Sequence, residues 1–471
     1  MFEAMFNPRA VAVIGASERS TGRFQGAGFI SNFQKLGFEG RLYPVNPRGG
    51  EVLGLKVYPD LISLPETPDL VIVSTPAPEV PRVLEDCLAK GVKNVHVFSA
   101  GFSESGEEEG RQLEEKIKGI ALRGELHLVG PNCMGISVPK AGMLTLHGVS
   151  VESGSVAFLS QSGGHALQFA RYSQGFGIGF SKLISYGNGC ITDSTDFLEY
   201  LATDPETRLI ALYIEGVRDG QRLIKQVKEI NLTKPVIVWK GGMSEVGARA
   251  TSSHTGSLAG NVAVWKAFFK QTGAVQVNSL DELADVVMTF LYLTPSPGRR
   301  AALFLGGGGH SVVTADFFAR EGLEVPVFSP RTRGQLRNIL PMAGASVRNP
   351  IDCEPMMRQP SLLEPALRIV AEDPSIDILI ADLHLDMLLE EGRDRIREMG
   401  ELLCGLKREF LQQKHLIAIL ESWGGNPKIS LERSRLQREF LEAGIGVYRT
   451  MPRACRALSK FLQYHEFQKE T

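Results

Sequence analysis

Residues 156–165 read VAFLSQSGGH, an apolar run that is followed by serines and glycines and then a histidine. The apolar run predicts a buried strand, and the small residues after it predict a tight turn into a helix. Residues 301–310 read AALFLGGGGH and repeat this order of apolar strand, glycine turn and histidine. We therefore expect two flavodoxin-like domains that descend from one unit.

Short Val/Ile/Leu-rich runs alternate with helix-length amphipathic stretches along almost the whole chain, which is typical of βαβ units on buried parallel sheets. The predicted strands form three series: 11–14, 41–45, 70–74, 95–98 and 126–129; 156–159, 181–185, 210–214 and 236–239; 301–305, 376–381 and 416–420. The expected fold is α/β, with a Rossmann-like domain at 1–139 followed by flavodoxin-like domains at 153–295 and 299–464.

Composition excludes several classes of function. Of the 471 residues, 51 are Lys or Arg and 53 are Asp or Glu, so the net charge of −2 favours neither nucleic acid nor an anionic membrane as a partner. The six cysteines lie far apart, and none has a spacing suited to zinc, so we expect buried thiols and no metal site. Without a leader-like N-terminus or a long apolar run, the protein is expected to be cytoplasmic.

The turn after the first strand begins at Gly15, but its sequence GASERSTG is not the G-x-G-x-x-G of dinucleotide sites. The second strand ends in Asn46-Pro47-Arg48, where NAD-binding domains place an acidic residue. An NAD-dependent enzyme is therefore disfavoured. These residues suit a phosphorylated ribose better, although Arg48 is equally compatible with a solvated loop.

The turn Ser160-Gln161-Ser162-Gly163-Gly164 precedes a predicted helix, whose free amides and dipole attract anions. It predicts a phosphate or carboxylate site, while plain helix capping by serine is the alternative. No G-x-x-x-x-G-K-[ST] motif is present, so this turn is not a P-loop.

His254 lies among small and hydroxylated residues in ATSSHTGSLAG, just before another predicted helix. A neutral imidazole there is a candidate nucleophile toward phosphorus if an acceptor fixes its other ring nitrogen. Glu215, which ends the strand of YIEG, is expected at the same sheet edge and is the candidate acceptor. Taken singly, the two residues are equally explained as a loop histidine and a helix-cap carboxylate. For His165 and His310, inside the first turns of their helices, we predict packing or a supporting role.

The ordered motifs VAVIGAS, YPVNP, STPAP, FSAGF, GPNCMG, SQSGG, SYGNG, YIEG, ATSSHTGSLAG and FLGGGGH, with SVRNPID, span nearly the whole chain. This combination resembles the alpha subunit of the NDP-forming acyl-CoA synthetases, relatives of succinyl-CoA synthetase. The resemblance implies that His254 carries a phosphoryl group, that Glu215 orients it, and that the Ser160–Gly164 turn binds phosphoryl oxygens. It also implies a coenzyme A site in the first domain, made by Gly15, Ala16, Ser17, Arg19, Asn46, Pro47, Arg48, Thr75, Pro76, Ala77, Ser99, Ala100, Gly101 and Asn132.

The implied reaction converts acyl-CoA and phosphate to an acyl phosphate and CoA, moves the phosphoryl group to the histidine, and then to a nucleoside diphosphate, ADP being favoured over GDP. No ATP-grasp portion is evident before Thr471. The resemblance therefore implies a hetero-oligomer in which a separate ATP-grasp beta subunit holds the Mg-nucleotide. The alternative is a non-catalytic CoA or acyl-CoA sensor with the same fold. The acyl chain is not identified.

Overall fold

The computed structural model describes residues 2–17, 26–249, 261–295, 298–341, 343, 345–424 and 426–470. The chain forms two compact units, residues 1–174 with 178–279 and residues 175–177 with 280–471. The first unit contains two large sheets and the second contains one. Each of the predicted strands overlaps a strand of the structure. The predicted domain boundaries stay a prediction.

The first sheet is parallel throughout, in the order β2-β1-β5-β6-β7. Its central strands are buried on both faces because helices cover them, which explains why they read as continuous apolar runs. A short antiparallel hairpin, β3-β4, follows β2. The strands are β1 (Ala10–Ile14), β2 (Arg41–Val45), β3 (Glu51–Val52), β4 (Leu55–Lys56), β5 (Leu70–Val73), β6 (Asn94–Val97) and β7 (His127–Val129). The helices are Glu3–Phe6, Gly26–Lys35, Val80–Lys90 and Glu108–Gly124.

The second sheet has the order β13-β12-β11-β9-β10-β8, and all of its pairings are parallel except that of β8 with β10. The strands are β8 (Gly135–Ser137), β9 (Ser153–Ser160), β10 (Phe180–Ser185), β11 (Leu209–Ile214), β12 (Val236–Lys240) and β13 (Val275–Val277). The helices are Gly163–Ser173, Ser194–Thr203, Gly220–Asn231 and Val262–Thr272. Buried apolar residues of both sheets form a continuous core within this unit.

The third sheet is parallel, in the order β15-β14-β16-β17-β18. Its strands are β14 (Ala301–Leu305), β15 (Ile351–Asp352), β16 (Ile378–His384), β17 (His415–Glu421) and β18 (Gly446–Tyr448). Its helices are Leu280–Tyr292, Gly308–Arg320, Pro330–Ile339, Glu354–Arg358, Pro360–Ala371, Leu385–Glu390, Arg393–Glu409, Pro427–Glu442 and Met451–Glu470.

The five parallel strands of the second and third sheets have the same order when they are counted along the chain, 2-1-3-4-5. This is the flavodoxin-like order, and it confirms the predicted pair of similar domains. All six cysteines are free and buried, as predicted. Among the described residues, no helix combines the length and apolar character that crossing a membrane requires.

Candidate functional site

The strand order determines where a ligand can bind in each sheet. In the 2-1-3-4-5 order, the connections after the first and third strands leave toward opposite faces, and a crevice opens between them at the carboxyl edge. The first sheet also has this order when its five strands are counted along the chain, so its first and third strands are β1 and β5. In the second sheet they are β9 and β11. The predicted site residues follow these strands.

The first crevice is a cavity of about 360 Å³ at the carboxyl ends of β1, β2 and β5. The structure brings six of the predicted coenzyme A residues to its wall: Gly15, Asn46, Pro47, Arg48, Thr75 and Pro76. Sequence analysis missed Arg82, which reaches the cavity from the helix Val80–Lys90. Two guanidinium groups, those of Arg48 and Arg82, line this pocket together with the carboxylates of Asp60, Glu79 and Asp86, and the two guanidinium groups are the candidate contacts for the phosphates of a ligand.

Gly15 is required because the turn after β1 passes close to the end of β5. Its φ is +88°, and a Cβ at this position would lie 2.4 Å from the carbonyl oxygen of Ser74. Only glycine accommodates both the left-handed backbone and this close approach. The turn therefore presents backbone directly to the cavity.

Other predicted coenzyme A residues do not line this cavity: Ala16, Ser17, Ala77, Ser99, Ala100, Gly101 and Asn132. Two of them brace its edge instead. The buried hydroxyl of Ser99 donates to the carbonyl of Thr75, and the backbone amide of Asn132 donates to the carbonyl of Ser99 at 2.9 Å. Arg19 lies outside the described residues.

The predicted phosphate turn caps the helix Gly163–Ser173. The Ser162 hydroxyl accepts from the backbone amide of His165 at 3.3 Å, and the Ser160 hydroxyl accepts from the amide of Ser162 at 3.2 Å. Within the described residues, the amides of Gly163 and Gly164 donate to no other group. The capping that was offered as an alternative is thus present, and it leaves two amides directed outward from the helix N-terminus.

Gln161 connects this turn to Glu215. Its side-chain oxygen accepts from the backbone amides of Glu215 at 2.8 Å and Gly216 at 3.1 Å. The backbone amide of Gln161 donates to the backbone carbonyl of Tyr213 at 3.0 Å. Because the side-chain oxygen and the backbone amide of Gln161 already have hydrogen-bond partners, Gln161 acts here as a brace that holds the loops after β9 and β11 together. The structure therefore brings Glu215 and the 160–164 turn to one crevice, as the sequence predicted.

Glu215 is a buried carboxylate with polar neighbours on two strands. The Tyr213 hydroxyl donates to its Oε1 at 3.0 Å. Burial, with the charge of Glu215, raises the pKa of Tyr213, so this phenol stays protonated and remains a donor. Lys240 ends β12 and donates to the backbone carbonyl of Glu215 at 2.9 Å.

Lys240 is a functional candidate that sequence analysis missed. Burial lowers the pKa of this ammonium to about 8, although the nearby Glu215 opposes the shift. Its Nζ also lies 5.0 Å from the ring centroid of Trp265. The available signal was a lysine at the end of an otherwise apolar strand, VIVWK.

The two histidines that follow glycine turns differ in their surroundings. The ring of His165 lies 4.3 Å from Tyr213 and 4.6 Å from Trp239 between centroids, which agrees with the predicted packing. His310 instead places Nε2 2.7 Å from Oδ2 of the buried Asp382. His254, the predicted nucleophile, lies outside the described residues.

Comparison with known proteins identifies both sheets of the first unit. A family described as "CoA binding domain" matches residues 9–139, and one described as "Succinyl-CoA ligase like flavodoxin domain" matches residues 153–290. The chain is 34% identical to the alpha subunit of Pyrococcus furiosus acetate–CoA ligase (ADP-forming) I, over 99% of this chain and 98% of that subunit. It is 39% identical to the alpha subunit of isoenzyme II, over 81% and 82%.

A solved structure resembles the whole chain. It is the dinucleotide-forming acetyl-coenzyme A synthetase 1 of Ca. Korarchaeum cryptofilum in complex with phosphate and ADP. Its sequence is 31% identical, the TM-score is 0.82, and the match covers 100% of this chain and 98% of that chain. These findings cover all three sheets.

Proposed function

The chain belongs to the family of ADP-forming acetate–CoA ligase alpha subunits, and from this premise we propose that its first crevice binds coenzyme A while its second phosphorylates His254. It is the alpha subunit of an acyl-CoA synthetase, an acid–thiol ligase that has CoA as a substrate and works with a partner subunit. We further propose that this partner is an ATP-grasp beta subunit that holds Mg-ADP.

The observation that carries the proposal is the crevice between β9 and β11. It combines the outward amides of Gly163 and Gly164 with the buried carboxylate of Glu215, and Gln161 links the two loops by hydrogen bonds. Fixed amides stabilise charge on a transferring phosphoryl group because they need no reorganisation during the reaction. A carboxylate that accepts one imidazole N–H directs the other nitrogen toward phosphorus.

The proposed sequence has three transfers. Phosphate oxygen attacks the acyl carbon of acyl-CoA, and the thiolate of CoA leaves. An imidazole nitrogen of His254 then attacks phosphorus, the acyl carboxylate leaves, and the imidazolium N–H is stabilised by Glu215. Finally the phosphoryl group passes from nitrogen to the terminal phosphate oxygen of ADP in the partner. Each transfer exchanges one bond for another, so no oxidant or reductant is needed.

The test uses the full-length chain incubated with acetyl-CoA and radiolabelled phosphate. We expect acid-labile, base-stable label on the protein and release of CoA. His254→Asn should abolish the label, and Glu215→Gln should slow its appearance by about 10²- to 10⁴-fold, the usual contribution of a positioned acid–base group.

His127→Asn is the matched control, because His127 begins β7 at the amino edge of the first sheet, away from either crevice. It should incorporate label at the wild-type rate. Equal labelling of the wild type and His254→Asn would overturn the assignment of the carrier. If both His254 and Glu215 variants behave as the wild type while CoA is released, the second crevice does not hold the phosphoryl group.

A further inference from the structure

Four side chains with metal-binding atoms converge at the carboxyl edge of the third sheet. They are His310, Asp382, His384 and Glu421, and one ligand atom from each lies within 4.8 Å of the others. The Nε2 of His310 is 2.7 Å and the Nε2 of His384 is 3.4 Å from the same carboxylate oxygen of Asp382. No part of the coenzyme A or phosphoryl proposal uses this cluster.

The topology explains why residues from three separate segments meet. His310 follows β14, the first strand of the sheet, while Asp382 and His384 lie near the end of β16, the third strand. Residues two apart on a strand point to the same face, so Asp382 and His384 share one side of the sheet. Glu421 ends β17 and lies directly opposite His384 in the strand register. The cluster thus occupies the crevice where this fold binds ligands.

The buried members of the cluster have atoms that lack partners among the described residues. Asp382 is fully buried, and its Oδ1 accepts no hydrogen bond; His384 is nearly buried, and its Nδ1 makes none. Buried polar atoms of this kind are rare in folded proteins, because each costs about 1–3 kcal/mol when unsatisfied. A cation bound by Asp382 would satisfy its Oδ1, whereas the unpartnered Nδ1 of His384 is not the nitrogen that faces Asp382 and does not bear on the cation.

The surroundings favour a cation over an anion. A cavity of about 410 Å³ opens onto the cluster and is lined by Glu354, Glu390 and Glu421. The lining also includes one guanidinium, Arg358, which pairs with Glu354 at 3.0 Å and Glu390 at 3.3 Å. With Asp382 beneath it, the pocket therefore holds more negative than positive side chains.

We propose that His310, Asp382, His384 and Glu421 bind a divalent transition-metal cation, of which Zn²⁺ best fits the two imidazole and two carboxylate donors. Ligands at 2.0–2.1 Å from tetrahedral zinc are about 3.3 Å apart. The distance of 3.4 Å between His384 and Asp382 is close to that value, while the 2.7 Å between His310 and Asp382 is a hydrogen bond that must lengthen by about 0.6 Å when the cation binds. The open cavity leaves the cation accessible to water or to an anionic ligand. The sequence predicted no metal site, because the four ligands form no recognisable spacing along the chain.

The test titrates full-length protein, freed of metal by chelation, with Zn²⁺ by calorimetry and with Co²⁺ by absorption. We expect one cation per chain and a tetrahedral Co²⁺ spectrum without thiolate charge-transfer bands, since no cysteine belongs to the cluster. His384→Gln should weaken Zn²⁺ binding by at least about 100-fold. Loss of a group that only orients a metal ligand already weakens binding by up to about 100-fold, and His384 is a proposed ligand itself. His465→Gln, a histidine of the same unit outside the cluster, is the control and should bind as the wild type.

A second measurement locates the cation in the unaltered protein. Trp423 is 68% exposed, and its ring centroid lies 4.9 Å from that of His384. Bound Co²⁺ should therefore quench the fluorescence of Trp423, and Trp423→Phe should lose this quenching while still binding one cation. Stoichiometric binding without quenching would place the cation elsewhere. If His384→Gln and His465→Gln bind Zn²⁺ with equal affinity, or if the protein binds no Zn²⁺, the four residues form only an ion-paired cluster. Either result overturns the proposal.

Discussion

Replacing Gly15 with alanine tests whether the first crevice depends on a backbone turn without a side chain. With φ at +88°, an alanine loses about 1–2 kcal/mol to the left-handed conformation. Its Cβ would also lie 2.4 Å from the carbonyl oxygen of Ser74, whereas an ordinary contact begins at 3.4 Å. The ends of β1 and β5 must therefore separate by about 1 Å, and overpacking of this kind costs about 1–3 kcal/mol. We expect the free energy of unfolding to fall by about 2–5 kcal/mol in total.

Gly91→Ala separates the two contributions. Gly91 has a similar φ of +80°, but a Cβ there meets nothing within 4 Å, and Gly91 lies outside the cavity. This variant should lose only the conformational part, about 1–2 kcal/mol. Urea unfolding followed by circular dichroism measures both changes.

Coenzyme A binding provides the functional readout of the same pair. Because the displaced turn lines the cavity, Gly15→Ala should weaken CoA binding at least about 10-fold, or 1.4 kcal/mol, by calorimetry. Gly91→Ala should bind CoA as the wild type does. If the two variants lose the same stability and retain the same CoA affinity, the close approach of Gly15 to Ser74 is not what shapes the site.

Two further predictions concern the second crevice. Gln161→Met removes the acceptor for the amides of Glu215 and Gly216, so the free energy of unfolding should fall by about 2–4 kcal/mol and labelling of His254 should slow; unchanged urea unfolding and labelling would contradict the brace. Burial lowers the pKa of Lys240 from 10.5 to about 8, so between pH 8 and 10.5 the unfolded chain binds more protons than the folded one. The free energy of unfolding of the wild type should therefore increase as the pH rises through this range. Relative to Lys240→Met the gain should reach about 3 kcal/mol, and parallel pH profiles of the two proteins in urea would refute it.

Most of the strands that the sequence predicted have four or more residues and are largely apolar. β1, β11 and β14 are continuous apolar runs because helices cover both faces of each sheet. The strands that it missed, such as β8 and β15, have two or three residues, too few to show any periodicity. They are held by pairing with a neighbour, which is a property of the sheet and not of the segment.

The candidate site was predictable to the same extent. Gly15 and Glu215 follow strands whose ends are visible in the sequence, so their place at a carboxyl edge could be inferred. The Gln161 brace, the buried Lys240 and the cluster around Asp382 depend on which strands are neighbours and in what register. Five parallel strands allow many orders, and local patterns do not distinguish them.

Register also relates the second crevice to the third. Ser160, the last residue of β9, lies opposite Tyr213 of β11. By the register of β14 with β16, Leu305, the last residue of β14, lies opposite Asp382. Two residues further on, Glu215 in one sheet corresponds to His384 in the other. The helices that follow β9 and β14 begin equally far from those strands, so His165 corresponds to His310. The two crevices are therefore the same backbone arrangement with different side chains.

This correspondence shows how one arrangement would support the two kinds of chemistry that we propose. Where the second sheet has the aromatic Tyr213, the ring of His165 packs and a single carboxylate, Glu215, remains to orient a partner imidazole. In the third sheet Asp382 stands in the place of Tyr213, and its carboxylate pairs with His310. A second imidazole, that of His384, stands in the place of Glu215. A carboxylate beside helix amides, as Glu215 is, suits phosphoryl transfer, while converging imidazoles and carboxylates suit a cation. The backbone determines where a ligand binds, and the side chains at two strand ends determine which ligand it is.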